Sequence, residues 1–371
     1  MTGGRRIASL LLAATSVAGC SDGARAKEEE PSRSAASDAF ADAGAGVPSL
    51  RVEAETHLRN IRQLTFGGQN AEAYFSADGE RLIFQATPRG AHCDQQYTIR
   101  VDGTGLRRVS TGAGRTTCGY FFPGGERILF SSTHLAGKAC PPPPDYSMGY
   151  VWAVYPGYDI FVADTDGSNL TRLTDTPGYD AEATISRDGE WIVFTSVRDG
   201  DLDIYKMRSD GRDVRRLTDE EGYDGGPFFS YDGSQIVYRA HHPSEEEVLA
   251  EYRALLRLNL VRPTQLEIFV MNEDGTGKRQ LTDNGAANFG PYFFPDGKRI
   301  IFASNLENPR GREFDLYAIA VDGTGLERIT HHPDFDGFPM FDSEGSRLVW
   351  ASNRNNELEG ETNLFMADWV D

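Results

Sequence analysis

Apolar residues recur along this chain in short runs, each cut off by a glycine-bearing turn. Residues 179–219 show the pattern once in full. Four strand-like runs lie there, at 183–186, 191–195, 203–207 and 214–218. Asp188-Gly189 separates the first two and Asp210-Gly211 the last two. Asp-Gly supplies the positive φ that a tight hairpin turn needs, so each pair reads as a β-hairpin. The second run is apolar at every position from Trp191 to Phe194. A strand with one wet face would alternate, so this one is expected to be covered on both faces. A unit this short cannot bury both faces alone; it needs neighbours like itself.

The chain repeats the unit six times. The first turn falls at Asp78-Gly79, Gly124-Gly125, Asp188-Gly189, Asp232-Gly233, Asp296-Gly297 and Glu344-Gly345. The second turn recurs at Asp102, Asp166, Asp210, Asp274 and Asp322, each followed by glycine. Arg-Leu-Thr-like strands close the units, as at Arg172-Leu173-Thr174 and Arg216-Leu217-Thr218. Four-stranded units of roughly 40–45 residues are the signature of a β-propeller. The sixth unit lacks a closing strand, and 61–65 (Ile-Arg-Gln-Leu-Thr) supplies it from the other end of the chain. The expected fold is therefore all-β: a six-bladed propeller of four-stranded blades, closed by an N-terminal strand that completes the last blade.

Three segments are expected. Residues 1–19 read as a signal peptide, with Arg5 and Arg6 ahead of a short apolar stretch, and Val17-Ala18-Gly19-Cys20 resembles a bacterial lipoprotein cleavage site with lipid on Cys20. Residues 20–57, rich in Ala, Ser, Glu, Asp and Gly, read as a disordered tether. Residues 58–371 form the propeller. This points to the bacterial cell envelope, with the only membrane attachment through lipid. Ser21, in place of aspartate after the cysteine, favours the outer membrane facing the periplasm. The formal net charge of −19 argues against nucleic acid, whose phosphates require Lys and Arg.

The blades differ in two inserts. Turn-to-turn distance is 22 residues from Asp188 to Asp210 but 42 from Gly124 to Asp166 and from Asp232 to Asp274. In blade four, Ser244 and Glu247 make a capping box, and Val248, Tyr252, Leu255 and Leu256 fall on one face, predicting a helix at about 245–258. In blade two, Cys140 precedes four prolines and an aromatic run that includes Trp152 and Tyr155. Blade topology puts both inserts on the face opposite the Asp-Gly turns. Trp152, Tyr155 and Tyr252 are the candidate partner-binding residues. Counting back eight residues from each first turn gives Asn70, Thr116, Asp180, Asp224, Asn288 and Asp336. These are expected either to ring the mouth of the central channel as a ligand site or to cap the inner strands through Asx-type turns. Cys93 and Cys140, in corresponding loops of adjacent blades, are the preferred disulfide pair in an oxidising compartment. No metal site is expected: Asp199, Asp201 and Asp203 lack the glycine and glutamate spacing of a calcium loop, and His92 or His134 near the cysteines lacks zinc-ligand spacing. No cofactor is expected either.

Repeats of the form F-x-x-D-G-x-x-I-x-F, D-I-Y and D-G-T-G-x-x-R-L-T resemble those of the TolB family over about 58–371. The resemblance implies a non-enzymatic periplasmic binding propeller that contacts a peptidoglycan-associated lipoprotein. TolB carries an α/β domain ahead of its propeller and is soluble, whereas a short linker and a lipidation signal stand here. Prolyl oligopeptidases carry similar repeats, but their catalytic domain is not expected here, because the sequence ends with the last blade. The one G-x-S-x-G, at 19–23, has no strand–turn–helix setting. The reading is a monomeric, tethered scaffold that binds an envelope protein or glycan. The alternative is a hydrolase or lyase of glycan or peptide, using channel carboxylates such as Asp180, Glu182, Asp224 or Asp336.

Overall fold

The computed structural model describes residues 50–371. Six four-stranded antiparallel sheets make six blades. The last blade is built from both ends of the chain: strand Leu58–Gln63 pairs with Asn363–Trp369, with Leu58 opposite Trp369 and Gln63 opposite Phe365. The ring is thus closed without a long unpaired edge.

The second strand of each blade carries the core. Phe84, Phe130, Phe194, Tyr238, Phe302 and Trp350 occupy the same position in successive blades, and all are fully buried. An aromatic ring at this point fills the space between twisted sheets, at about 25 cal/mol per Å² of apolar area removed from water. The sequence run that is apolar on both faces is the strand that touches a blade on each side.

The closing Arg-Leu-Thr has two jobs. Its threonine hydroxyl accepts the amide of the second residue of strand three, as in Ile204 N to Thr218 Oγ1 at 2.9 Å and Leu316 N to Thr330 Oγ1 at 2.8 Å. Its arginine pairs with the acid that opens strand three: Arg172–Asp159 at 2.8 Å, Arg216–Asp203 at 2.7 Å and Arg328–Asp315 at 2.8 Å. These acids therefore serve the repeat. Burial pushes Asp203 up to about 7 and Asp315 up to about 6, against the pull of their arginines.

The folded unit extends ahead of Leu58. Glu55 is fully buried on blade six, where its carboxylate accepts from Arg354 Nη2 at 3.0 Å and from the His331 amide at 3.2 Å. Arg354 also reaches Asp336 at 2.6 Å. The signal segment, Cys20 and the tether up to residue 49 lie outside the described residues. No helix among the described residues is long and apolar enough to cross a membrane.

Candidate functional site

The first strand of each blade carries a β-bulge at one equivalent place, between Ala71 and Tyr74 in blade one and between Ala181 and Thr184 in blade three, for example. The bulged residues are Glu72, Cys118, Glu182, Gly226, Gly290 and Phe338, all with φ between 50° and 60°. Glycine tolerates this conformation, but a residue with a Cβ pays about 1–3 kcal/mol. Four blades carry that strain, which directs attention to what those side chains do. All six residues line one small cavity in the channel.

Two residues further along each strand come Tyr74, Tyr120, Thr184, Phe228, Tyr292 and Met340. Tyr74 lies 5.4 Å from Tyr120 and 5.5 Å from Phe228, and Phe228 lies 5.4 Å from Tyr292, between ring centroids. The Tyr120 and Tyr292 hydroxyls meet at 3.3 Å. This layer plugs the channel and divides it into two blind halves.

The half nearer the inserts is the polar one. Cys118 Sγ donates to Glu72 Oε2 at 3.0 Å. Burial pushes the Glu72 carboxyl up to about 7; the Cys118 thiol pulls it back, and the charge of Glu182 pushes it further up. Burial, with the charge of Glu72 beside it, also raises the Cys118 thiol well above its usual range, so it sits as a neutral donor and not as a thiolate nucleophile. Glu182 pairs with Arg239, and accepts from Thr195 Oγ1 at 2.8 Å and the Gly226 amide at 2.9 Å. Arg239 in turn donates to the Tyr223 hydroxyl at 2.7 Å. One carboxyl poised near neutrality thus stands beside one fixed ion pair. Glu72, Cys118 and Glu182 each keep part of their surface accessible.

The ring expected at the mouth lies elsewhere. Asn70, Thr116, Asp180, Asp224, Asn288 and Asp336 are all buried. Each of their amides donates to a carbonyl of the preceding blade, at Thr362, Asp94, Tyr158, Leu202, Leu266 and Phe314 respectively. Their side chains are engaged as well: Asn70 with Gly67 and Thr362 carbonyls, Thr116 with Asp94, Asn288 with Leu266. The three aspartates are held by Arg198 at 2.9 Å, His242 at 3.0 Å and Arg354 at 2.6 Å. These six staple blade to blade, and the channel surface belongs to the residues two positions on. The reason is the bulge, which turns the next side chains inward after the staple.

The two inserts do share a face, and they join: Trp152–Ala153 pairs with Leu260–Val261 as a two-stranded sheet. The helix runs Glu246–Leu256 with Glu245 at its N-cap, and that cap makes no side-chain hydrogen bond. The expected capping box is not formed, since the helix starts one residue beyond the point at which Ser244 could cap it. Leu255 is buried against Val151 and Leu260 of the joined inserts. Tyr252 donates to Asp201 and to the Gly222 carbonyl, so its hydroxyl anchors the helix to the blades. Tyr155 holds the proline segment through the Pro142 carbonyl at 2.8 Å. Trp152 packs edge-on to Phe289 at 6.4 Å, with Arg239 5.4 Å from its ring, which places it over the polar half of the channel. Cys93 and Cys140 form a disulfide, Cα–Cα 5.6 Å, and Cys118 is free. Among the described residues no group of three or more His, Cys, Asp or Glu is placed to hold a metal ion.

Sequence reasoning missed Glu72 and Arg239. The signal that could have found them is the glycine at two equivalent bulge positions, Gly226 and Gly290.

Comparison with known proteins agrees with this architecture. A family model described as the TolB beta propeller domain matches residues 154–256. A curated dipeptidyl-peptidase 5 from Porphyromonas gingivalis is 46% identical over 39 residues, which is 10% of this chain and 6% of that protein. The solved TolB from Acinetobacter baumannii superposes with a TM-score of 0.54 at 15% identity, over 82% of this chain and 64% of that one. An oligogalacturonate lyase in complex with manganese gives 0.50 at 12% identity, over 84% and 93%. At such identities the likeness is one of fold. The chain is TolB-like in its propeller.

Proposed function

We propose that this TolB-like six-bladed propeller is a binding protein of the cell envelope, lipid-anchored through Cys20, that takes a protein or glycan partner on its insert-bearing face. The observation that carries the reading is the blind, strained, acidic half-channel of Glu72, Cys118 and Glu182 under Trp152. Every blade has the bulge, so the backbone conformation belongs to the repeat, but the repeat tolerates glycine there; four blades keep a side chain at a cost in stability, and use is the better explanation. Around it the inserts expose Tyr146, Met148, Tyr150 and Leu258. A platform of aromatic and apolar groups beside carboxylates suits a cationic or amphipathic partner. What TolB binds elsewhere supports only the class of role, not the partner.

The test is capture from cross-linked envelopes with the lipidated protein as bait. Glu72→Gln and Glu182→Gln should each weaken capture in a graded, salt-sensitive way, and Cys20→Ser should shift the bait to the soluble fraction. Unchanged capture by both channel variants would defeat the reading.

A second reading, a lyase or hydrolase, is favoured by one observation: the Glu72 carboxyl at about 7 suits an acid–base group. If it holds, Glu72→Gln abolishes turnover of a glycan substrate while leaving binding intact.

A further inference from the structure

The other half of the channel opens on the Asp-Gly-turn face as a separate cavity of about 70 Å³. Its floor is the aromatic plug. Its walls include Phe75, Phe122, Phe228 and Phe341, and Arg187 is the only charged side chain that lines it. The turn residues around this mouth are Ala77, Pro123, Arg187, Tyr231, Pro295 and Ser343. Five are uncharged. Arg187 is exposed, and its guanidinium lies 4.2 Å from the Tyr231 ring centroid. The neighbouring turn carboxylates make no ion pair with it among the described residues and are held in their own turns: Asp78, Asp188 and Asp232 each accept a serine hydroxyl at 2.5–2.6 Å and a backbone amide at 2.9–3.0 Å. The serines at this rim are thereby used as donors, which leaves the guanidinium, lying over Tyr231, as the charged donor at the mouth. The Tyr231 hydroxyl is turned inward to the Phe341 and Asp342 carbonyls.

A groove of about 510 Å³ leaves the same mouth between blades three and four. It shares Arg187, Phe229 and Tyr231 with the cavity and runs on past Trp191 and Lys206. Cavity, cation and groove therefore stand in line. A cavity walled largely by aromatic rings takes an apolar group, and this one is about half the ~150 Å³ that admits benzene, so it fits a short aliphatic side chain. A guanidinium at the entrance fits a carboxylate, which it can bind by two parallel hydrogen bonds. An open groove beyond it has room for more chain.

We propose that this end of the channel is a second binding site, which takes the C-terminal carboxylate of a peptide ending in a small aliphatic residue, with the preceding residues in the groove between blades three and four. The site is independent of the insert-bearing face, from which the aromatic plug separates it.

Titration calorimetry on the folded full chain, with Trp191 fluorescence as a second readout, tests this. The probes are N-acetyl-Gly-Ser-Gly-Val as the free acid, the same peptide as its C-terminal amide, and isovalerate. The acid should bind, the amide should bind about tenfold or more weakly, and isovalerate should bind more weakly than the acid. Arg187→Ala should lose about tenfold for the acid and nothing for the amide, with Arg187→Lys between parent and Ala. Arg187 is exposed, so both variants should melt as the parent does. Equal binding of acid and amide, unchanged binding by Arg187→Ala, or no binding of the acid would overturn the site. Isovalerate binding as tightly as the peptide would overturn the peptide assignment.

Discussion

Replacing Arg354 with alanine should destabilise the ring more than any exposed charge change. Its guanidinium side chain is 1% exposed, and it pairs with two carboxylates, Glu55 and Asp336, that are both 0% exposed. Removing it strands both. Asp336 keeps the Trp350 indole N–H at 2.9 Å, and Glu55 keeps the His331 and Val52 amides at 3.2 and 3.0 Å. Breaking a buried pair by removing one partner costs about 3–5 kcal/mol. At about 2 °C per kcal/mol for a domain of this size, the melting temperature should fall by about 6–10 °C. Burial already raises the Asp336 carboxyl while Arg354 opposes it, so the variant should raise it further. A raised carboxyl means that the folded state holds the proton more tightly than the unfolded chain. The deficit should therefore be small near pH 4 and grow as pH rises through the new folded-state value. Scanning calorimetry of parent and variant across pH 4–8 measures this. Adding Asp336→Asn to Arg354→Ala should recover part of the loss, because the two sites share one network. A variant melting within about 2 °C of the parent at pH 8, or a deficit independent of pH, would show that the Glu55 latch does not hold the last blade.

Deletion through Phe66 removes both that latch and the strand Leu58–Gln63; circular dichroism should show loss of the cooperative melt of the whole ring, not of one blade. Glu72→Gln should flatten the pH dependence of stability: in the parent, Glu72 contributes stability below its ordinary value of 4.5 that is lost as pH rises through about 7, read as the difference between parent and variant because Asp203 and Asp315 act in the same direction. Replacing Cys93 and Cys140 together by serine opens a link across 47 residues and should cost about 2–4 kcal/mol, checked by urea denaturation with reductant added to the parent as control.

Much of the architecture was legible because the propeller repeats its local chemistry. Asp-Gly pairs mark turns by backbone sterics alone, and a strand apolar on both faces has only one place in a blade. The insert face was legible from topology, and the paired inserts and the Cys93–Cys140 link lie where blade topology puts them. The channel was not. Its bulge is a backbone feature occupied by Glu, Cys, Glu, Gly, Gly and Phe, so no shared residue type announces it, and a count from the turn stopped two residues short. Asn70, Asp180 and their equivalents are polar because their amides and side chains staple adjacent blades, a structural demand that resembles a binding ring in sequence. Glu55 was hidden for a different reason: a buried ion pair 299 residues from its partner has no local signature in an acidic, Ala-rich stretch.

Site-directed photo-cross-linking asks most directly which face works. A cross-linker at Tyr150, exposed on the joined inserts, and one at Asp296, in the blade-five turn on the opposite face, should be compared in intact envelopes. If the insert-bearing face takes the partner, Tyr150 yields a discrete adduct that Glu72→Gln and Glu182→Gln diminish, and any adduct at Asp296, on the face of the second site, is left unchanged by them. An adduct from Asp296 alone, or one from Tyr150 that both channel variants leave at full yield, would contradict binding at that face.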